Sequence, residues 1–345
     1  MPHITVTIPV YNRAHLVGRT IESVLAQSFQ DWDLLVVDDG SSDDTVAVVR
    51  GYTTDPRVQL EINPHNLGLT RNWNRCLELA RGPLVQVLLS DDLIDADYLQ
   101  RVSDHFATHP NTGMVAASCR YIDADDQLIL PGVALEPRLY AAGDEAVSAL
   151  LLTIGYPHVS SIVIRRECYE KLGKFNERIW HGPDVEMDTR IAAHYDFYHF
   201  GSIHTSFRRH GSNMGNLEFL RDDFLEVDTL KKRLAWQRLS PEGLRAAGVN
   251  NLEDYLNQHS AQVATGGALV AVGYGKPALA RRYMQQAARL LPEIKRTNAY
   301  RRNQLLLLWP ALTHWVLQRR WKVKSVDRQA MQSVESSLQR LREKE

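Results

Sequence analysis

VTIPVYNRAHLVGRT (residues 6–20) and WDLLVVDDGSSDDT (32–45) decide how this chain is read. An apolar strand from Ile4 to Val10 closes on Pro9 and Tyr11 and passes into an amphipathic helix. A second apolar strand, Leu34 to Val37, ends on Asp38, Asp39, Gly40 and Ser41. Strand, helix and strand in that order make a βαβ unit, and in open α/β sheets ligands sit beyond the carboxyl ends of the strands. Tyr11 and Asp39 would then share one crevice, a ring to stack on a base beside a carboxylate to accept from a base N–H. Asp43 and Asp44 follow Ser42 and precede Thr45, where carboxylates cap a helix and favour its dipole, so they carry no chemistry.

Outward from that unit, strand and helix signals alternate. Strands are expected at 4–10, 33–38, 58–62, 84–90 and 113–118, and helices at 14–27, 43–50, 68–80 and 96–108, with turn residues at Gly40-Ser41-Ser42, Asp55-Pro56, Gly82-Pro83 and Pro110-Asn111. The alternation predicts a doubly wound, mainly parallel sheet with helices on both faces. From 216 onward, apolar residues recur at threes and fours and the pattern becomes helical. GYGKPA (273–278) fits a dinucleotide-type GxGxxA, but Pro277 and helical periodicity on both sides make it a helix–helix turn.

Ser90-Asp91-Asp92 close the continuous apolar strand LVQVLL. Two adjacent carboxylates at a buried strand end are costly unless something pairs with them. A divalent cation bridging to a substrate diphosphate would do so. A helix cap for 96–108, from Asp92 or Asp95, accounts for one carboxylate and not both.

These segments, together with NPHNLGLTRNWNRCLELARG (63–82), LVQVLLSDDLI (84–94) and GPDVEMDTRIA (182–192), resemble in order and spacing the family 2 glycosyltransferases, inverting enzymes of the GT-A fold. The resemblance covers roughly residues 3–215. It implies nucleotide-sugar binding by Pro9, Tyr11, Asp39, Arg71, Asp91 and His210, with Asn72 and Asn74 nearby and His210 in a basic loop, FRRHGS (207–212), over the diphosphate. It implies Mn²⁺ or Mg²⁺ at Asp91 and Asp92. The acid that usually stands two residues before this pair is Leu89 here, so the metal is expected to lean on Asp92, with Asp91 nearer the sugar or ribose. Asp184 takes the place of the catalytic base, with Pro183 where the family has a preceding acid. Glu186 and Asp188 compete for that role, but residues two apart on a helix do not share a face.

Composition is that of an ordinary globular protein, 44% apolar and 23% charged. Cys76, Cys119 and Cys168 are isolated, which favours a reducing compartment. No signal peptide and no membrane-spanning run are expected. The formal charge of −1 conceals a division. Residues 1–215 hold 18 basic against 28 acidic side chains, and residues 216–345 hold 22 against 13. Segment 276–328 holds 13 against 2. Such asymmetry suggests two jobs in one chain.

The expectation is therefore a GT-A catalytic domain over 1–215, with a nucleotide-sugar half (1–112) and an acceptor half (113–215), followed by a basic helical region over 216–345. The expected donor is a UDP-sugar and the acceptor a hydroxyl of a glycan or lipid-linked molecule, with no nucleic-acid partner. RRNQLLLLWPALTHWVLQRRWKVK (301–324) sets an apolar run between arginine pairs, too short to span a bilayer, which suggests peripheral attachment to the inner face of the cell membrane from the cytoplasm. Docking on the acidic catalytic domain is the alternative. Two other readings of the whole chain are a non-catalytic sugar-nucleotide or glycan-binding protein of the same fold, and a sugar nucleotidyltransferase. The latter lacks the Gly-rich triphosphate loop it would need after the first strand.

Overall fold

Seven consecutive buried residues, Ile4–Val10, form β1 near the middle of the sheet. The computed structural model describes residues 4–153, 157–210 and 220–308. In chain order the elements are β1, α1 (Val17–Leu25), β2 (Trp32–Asp38), α2 (Thr45–Arg50), β3 (Val58–Ile62), α3 (Leu69–Leu79), β4 (Leu84–Val87), β5 (Leu93–Ile94), α4 (Tyr98–Thr108) and β6 (Thr112–Ile122). There follow β7 (Leu128–Leu130), β8 (Arg138–Tyr140), α5 (Asp144–Ser148), β9 (Val163–Arg165), α6 (Arg166–Leu172), α7 (Pro183–Ala192) and β10 (Asp196–Arg208). The helical remainder is α8 (Phe224–Trp236), α9 (Pro241–Ala246), α10 (Leu252–Gly273), α11 (Pro277–Leu290) and α12 (Asn298–Leu308).

The strands run in the order β3-β2-β1-β4-β9-β6-β10-β5, with β7 on β6 and β8 on β10. β3, β2, β1 and β4 are parallel, as the alternating pattern predicts. β9 enters antiparallel between β4 and β6, and β5 pairs antiparallel with β10. The sheet is thus mixed past β4. A three-residue strand gives little pattern to read, and its direction follows from where the preceding turn lets it enter.

Both faces of β1, β2 and β4 are covered and every residue in them is buried, whereas the edge strand β3 leaves Gln59, Glu61 and Ile62 exposed. Ile4, Val6, Ile8 and Val10 pack with Val17, Ile21 and Val24 of α1, all at most 2% exposed. Each such side chain contributes roughly 1.5–3 kcal/mol by leaving water. Leu35 and Val37 meet Cys76 of α3 on the other face. Parallel pairing brings the carboxyl ends of β1, β2 and β4 to one edge, with Val10 opposite Asp38 and Thr7 opposite Val87.

The chain divides into two compact units, Met1–Arg209 with Leu230–Leu252, and His210–Thr229 with Glu253–Glu345. Part of the helical region therefore rejoins the strand-rich unit. In the second unit, GYGKP joins α10 to α11, with Gly275 at φ +72° in the turn. Tyr283 donates to the Arg221 carbonyl (3.1 Å) and Asn303 to that of Thr265 (2.7 Å).

His105 of α4 stacks between His109 (4.2 Å) and Tyr198 (4.1 Å) and meets Thr112 Oγ1 at 3.1 Å. Burial pulls its pKa down from 6.5 to about 4. The unfolded chain then binds the extra proton below pH 6.5, so this contribution to stability is complete above that pH and is lost as the pH falls toward 4. In urea unfolding at about pH 7.5 and 5, His105→Gln should show a pH-dependent loss about 2 kcal/mol smaller than wild type. Equal pH dependence in both proteins would remove His105 from the account.

Candidate active site

The loops after β1 and β2 are laced together before any ligand is considered. Asn12, in the left-handed region at φ +52°, accepts from Ser42 N–H at 2.8 Å and donates its own N–H to Ser41 Oγ at 2.8 Å. Arg13 N–H reaches Thr45 Oγ1 (2.8 Å), and Ala14 N–H reaches Asp43 (3.2 Å). Asp43 also accepts from Thr45 N–H at 3.0 Å, whereas Asp44, at the cap position of α2, makes no side-chain capping bond. Pro9 is buried within β1, and Tyr11 is half-buried just beyond that strand.

Asp39 is 3% exposed and accepts from Leu67 N–H (2.8 Å), Gly68 N–H (3.0 Å) and Asn63 Nδ2 (2.9 Å). It is thus the anchor of the 63–68 loop and of the start of α3. Gly40 permits this closeness, because a Cβ there would lie 3.1 Å from Asn66 N. Burial raises the Asp39 pKa, and the three hydrogen bonds oppose the rise. A carboxylate has about four lone-pair sites, so room for one further donor remains. Asn72 bridges Asn63 and the Val37 carbonyl, and Asn74 exchanges two hydrogen bonds with the Phe175 backbone. Both are braces. Arg71, whose side chain is 64% exposed, pairs with Glu177 at 3.1 Å.

The two acids after β4 are both buried but have different partners. Asp92 is fully buried. Its Oδ2 accepts from Ser160 Oγ at 2.5 Å and lies 3.4 Å from His158 Nδ1, and its Oδ1 accepts from Arg208 N–H at 3.0 Å. Burial, then the neighbouring Asp91 charge, holds its pKa well above the ordinary range. Asp91 instead turns toward Arg13, 3.8 Å away, at the carboxyl edge of the sheet. Arg208, a candidate for diphosphate neutralisation, is fully buried. It donates to the carbonyls of Asp91 (2.8 Å) and Asp123 (2.9 Å) and pairs with Asp126. Arg209 lies over the Tyr121 ring at 4.5 Å. Burial brings the His158 pKa down to about 4, so the ring is neutral near pH 7 as it packs on Phe207 at 4.4 Å. Among the described residues, no group of three or more His, Cys, Asp or Glu side chains closes a metal cage.

Asp184 is the second residue of α7, and Gly182 caps that helix at φ +58°, a conformation glycine adopts without strain. Pro183 fits the first helical position because no intrahelical N–H is needed there. Asp184 is partly exposed. Desolvation raises its pKa, opposed by Lys231, by backbone N–H groups at the helix start and by His181. A Cβ on residue 182 would lie 3.1 Å from Lys231 Nζ and 3.6 Å from Asp184 Oδ1, which puts lysine and carboxylate around one glycine. The competitors are occupied or enclosed. Glu186 is 3% exposed and bridges Arg190 (3.1 Å) and Arg238 (3.2 Å), and Asp188 is 2% exposed.

His210 opens the second unit, and residues 211–219, which include Gly211 and Ser212 of the stretch expected to close over a diphosphate, lie outside the described residues. Residues not singled out from the sequence include Arg13, His158, Ser160 and Lys231. Arg13 lies three residues past the end of β1, a position that could have flagged it. Lys231 is 47 residues from Asp184 in sequence and gives no local signal.

Chondroitin synthase of Escherichia coli is 28% identical over 214 residues, 62% of this chain and 30% of that protein. The chain spans less than two thirds of the length of the curated relatives it matches. Among solved structures, S. aureus TarS 1–349 in complex with UDP-GlcNAc superposes with a TM-score of 0.54 at 15% identity, over 85% of this chain and 91% of that one. The mannosyltransferase PcManGT from Pyrobaculum calidifontis, in complex with GDP-Man and Mn²⁺, gives 0.54 at 18% identity over 94% and 88%. At such identities the likeness concerns the fold, a GT-A-like mixed sheet flanked by helices. The sequence profile of glycosyl transferase family 2 matches residues 5–173, the part of the chain that holds β1 to β9.

Proposed function

We propose that this protein transfers a sugar, with inversion, from a nucleotide-diphosphate sugar to a hydroxyl of a glycan or lipid-linked acceptor. The observation that carries this reading is Asp184. It is a partly exposed carboxylate at a helix start with a raised pKa, while Glu186 beside it is held by two arginines. Asp184 takes the proton of the acceptor hydroxyl as that oxygen forms its bond to the anomeric carbon. The bond between that carbon and the diphosphate oxygen breaks, and the electron pair leaves with the nucleoside diphosphate. Tyr11 stacks on the base, and Asp39 offers its remaining acceptor site to the nucleoside while holding the 63–68 loop in place.

The donor set suits a cation bound jointly with substrate and not an all-protein cage. Mg²⁺ and Mn²⁺ sites of this kind use one or two carboxylates together with substrate phosphates. We assign this role to Asp91, which lies at the carboxyl edge of the sheet beside Arg13, while Asp92 accepts from Ser160 and the Arg208 backbone. The sequence alone favoured Asp92 for the same role. When bound, such a cation neutralises charge developing on the leaving diphosphate. Arg13 holds the Asp91 carboxylate at the edge of the sheet.

The donor named in the TarS complex is UDP-GlcNAc and that in the PcManGT complex is GDP-Man, so both nucleotides belong in the test. A ligand bound by the folded state alone raises the melting temperature. In a thermal-shift panel of UDP- and GDP-sugars, a UDP-sugar should give the largest shift, and Mn²⁺ should increase it. A flat panel, with and without Mn²⁺ or Mg²⁺, would overturn the reading.

A further inference from the structure

Helix α12 has one packed face and one that water does not suit. Tyr300, Asn303 and Leu307 are at most 8% exposed, with Tyr300 donating to the Met284 carbonyl (3.3 Å) and Asn303 to that of Thr265 (2.7 Å). The helix is therefore already seated in its unit. Its outer stripe, at helical spacings of four and three, is Arg301, Leu305 and Leu308. The two leucines are 66% and 69% exposed. A helix seated by one face ordinarily turns polar residues outward, so two leucines a turn apart beside arginines mark a contact surface.

The charge on this surface is of one sign. Arg301 and Arg302 are exposed, as are Lys295 and Arg296 on the turn Pro292–Arg296 just before α12, and none of the four makes an ion pair among the described residues. Between residues 276 and 308 the sequence has eight basic residues and one acid, Glu293. Residues 309–324 lie outside the described part, and their sequence adds Trp309, Trp315 and Trp321 with four basic residues and no acid. No helix among the described residues is long and apolar enough to cross a membrane. Basic side chains flanking a few exposed apolar ones suit the headgroup layer, where the cations meet anionic lipid and the leucines enter the acyl boundary. A soluble polyanion would use the arginines and gain nothing from Leu305 and Leu308.

We propose that the face formed by Lys295, Arg296, Arg301, Arg302, Leu305 and Leu308 binds an anionic lipid surface. The proposal stands on the second unit alone and is independent of the transfer reaction. The test is co-sedimentation of the full chain with phosphatidylcholine vesicles, with and without about 30% phosphatidylglycerol, at low and high salt, alongside melting curves that confirm each variant is folded. Wild type should pellet with the anionic vesicles only, and less in high salt. Arg301→Gln with Arg302→Gln should bind about 30-fold more weakly, since each basic residue near the surface contributes about fivefold. Leu305→Gln with Leu308→Gln should lose roughly tenfold or more, from the apolar area no longer inserted. Wild type remaining in the supernatant at low salt would overturn the proposal. So would full binding by both folded double variants, which would assign the contact to other residues. Loss in the arginine variant with none in the leucine variant, accompanied by equal competition from heparin, would make the face a general polyanion site and also overturn it.

Discussion

Replacing Asp184 with Asn should lower sugar transfer by about 10²–10⁴-fold, the scale of general-base catalysis, while donor affinity stays within about twofold. Asn keeps the shape and a hydrogen-bond acceptor at the start of α7 but cannot take the acceptor proton. The raised pKa adds a second signature. The base must be ionised, so the wild-type rate should climb with pH along a limb displaced above the ordinary carboxylate value of 3.8. That limb should vanish in the residual activity of Asp184→Asn. Glu186→Gln is the control, because it uncouples the bridge to Arg190 and Arg238. It should cost roughly 2–4 kcal/mol of stability, the consequence of leaving guanidinium groups uncompensated in a buried setting, and leave the acid limb in place. Full turnover in Asp184→Asn, with turnover lost in folded Glu186→Gln, would move the base to Glu186.

The second large effect separates the adjacent acids. Asp91→Asn should reduce metal-stimulated transfer by about 10²–10³-fold, since a cation contributes several kcal/mol of charge stabilisation and each 1.4 kcal/mol is tenfold. Its melting temperature should stay close to wild type. Asp92→Ala should behave oppositely, losing about 2–4 kcal/mol of stability, because Ser160 Oγ and Arg208 N–H both lose a buried acceptor. Asp92→Asn should restore much of that stability, because an amide offers an acceptor to Arg208 N–H and approximates the neutral carboxyl favoured there. Calorimetry with Mn²⁺ and a nucleoside diphosphate, beside urea unfolding, measures both. An Asp92→Ala protein that melts like wild type but has lost its metal response, with Asp91→Asn still responsive, would return the metal to Asp92.

The first strands and helices were legible because each is fixed by a local period. Ile4–Val10 and Val58–Ile62 are seen where the apolar runs place them, and the helix over 98–108 begins two residues from its expected start. Asp184 could be singled out because GPDVEMDTRIA, a stretch of consecutive residues, resembles the family segment that carries the base. The direction of β9 was not legible, since three residues carry no alternation and a turn decides their sense.

What the sequence determined by itself was the βαβ order, the acids at the strand ends and the family resemblance, since all three rest on short stretches of neighbouring residues. Only the tertiary structure decided what those acids face. Asp91 and Asp92 are adjacent in sequence and identical in chemistry, yet one turns toward Arg13 and the other is enclosed by Ser160, His158 and the backbone of Arg208. Those partners come from 68, 66 and 116 residues further along the chain. Burial, hydrogen bonding and a neighbour's charge determine whether a carboxylate is a ligand or a brace. All three are set by long-range packing, which local pattern does not record.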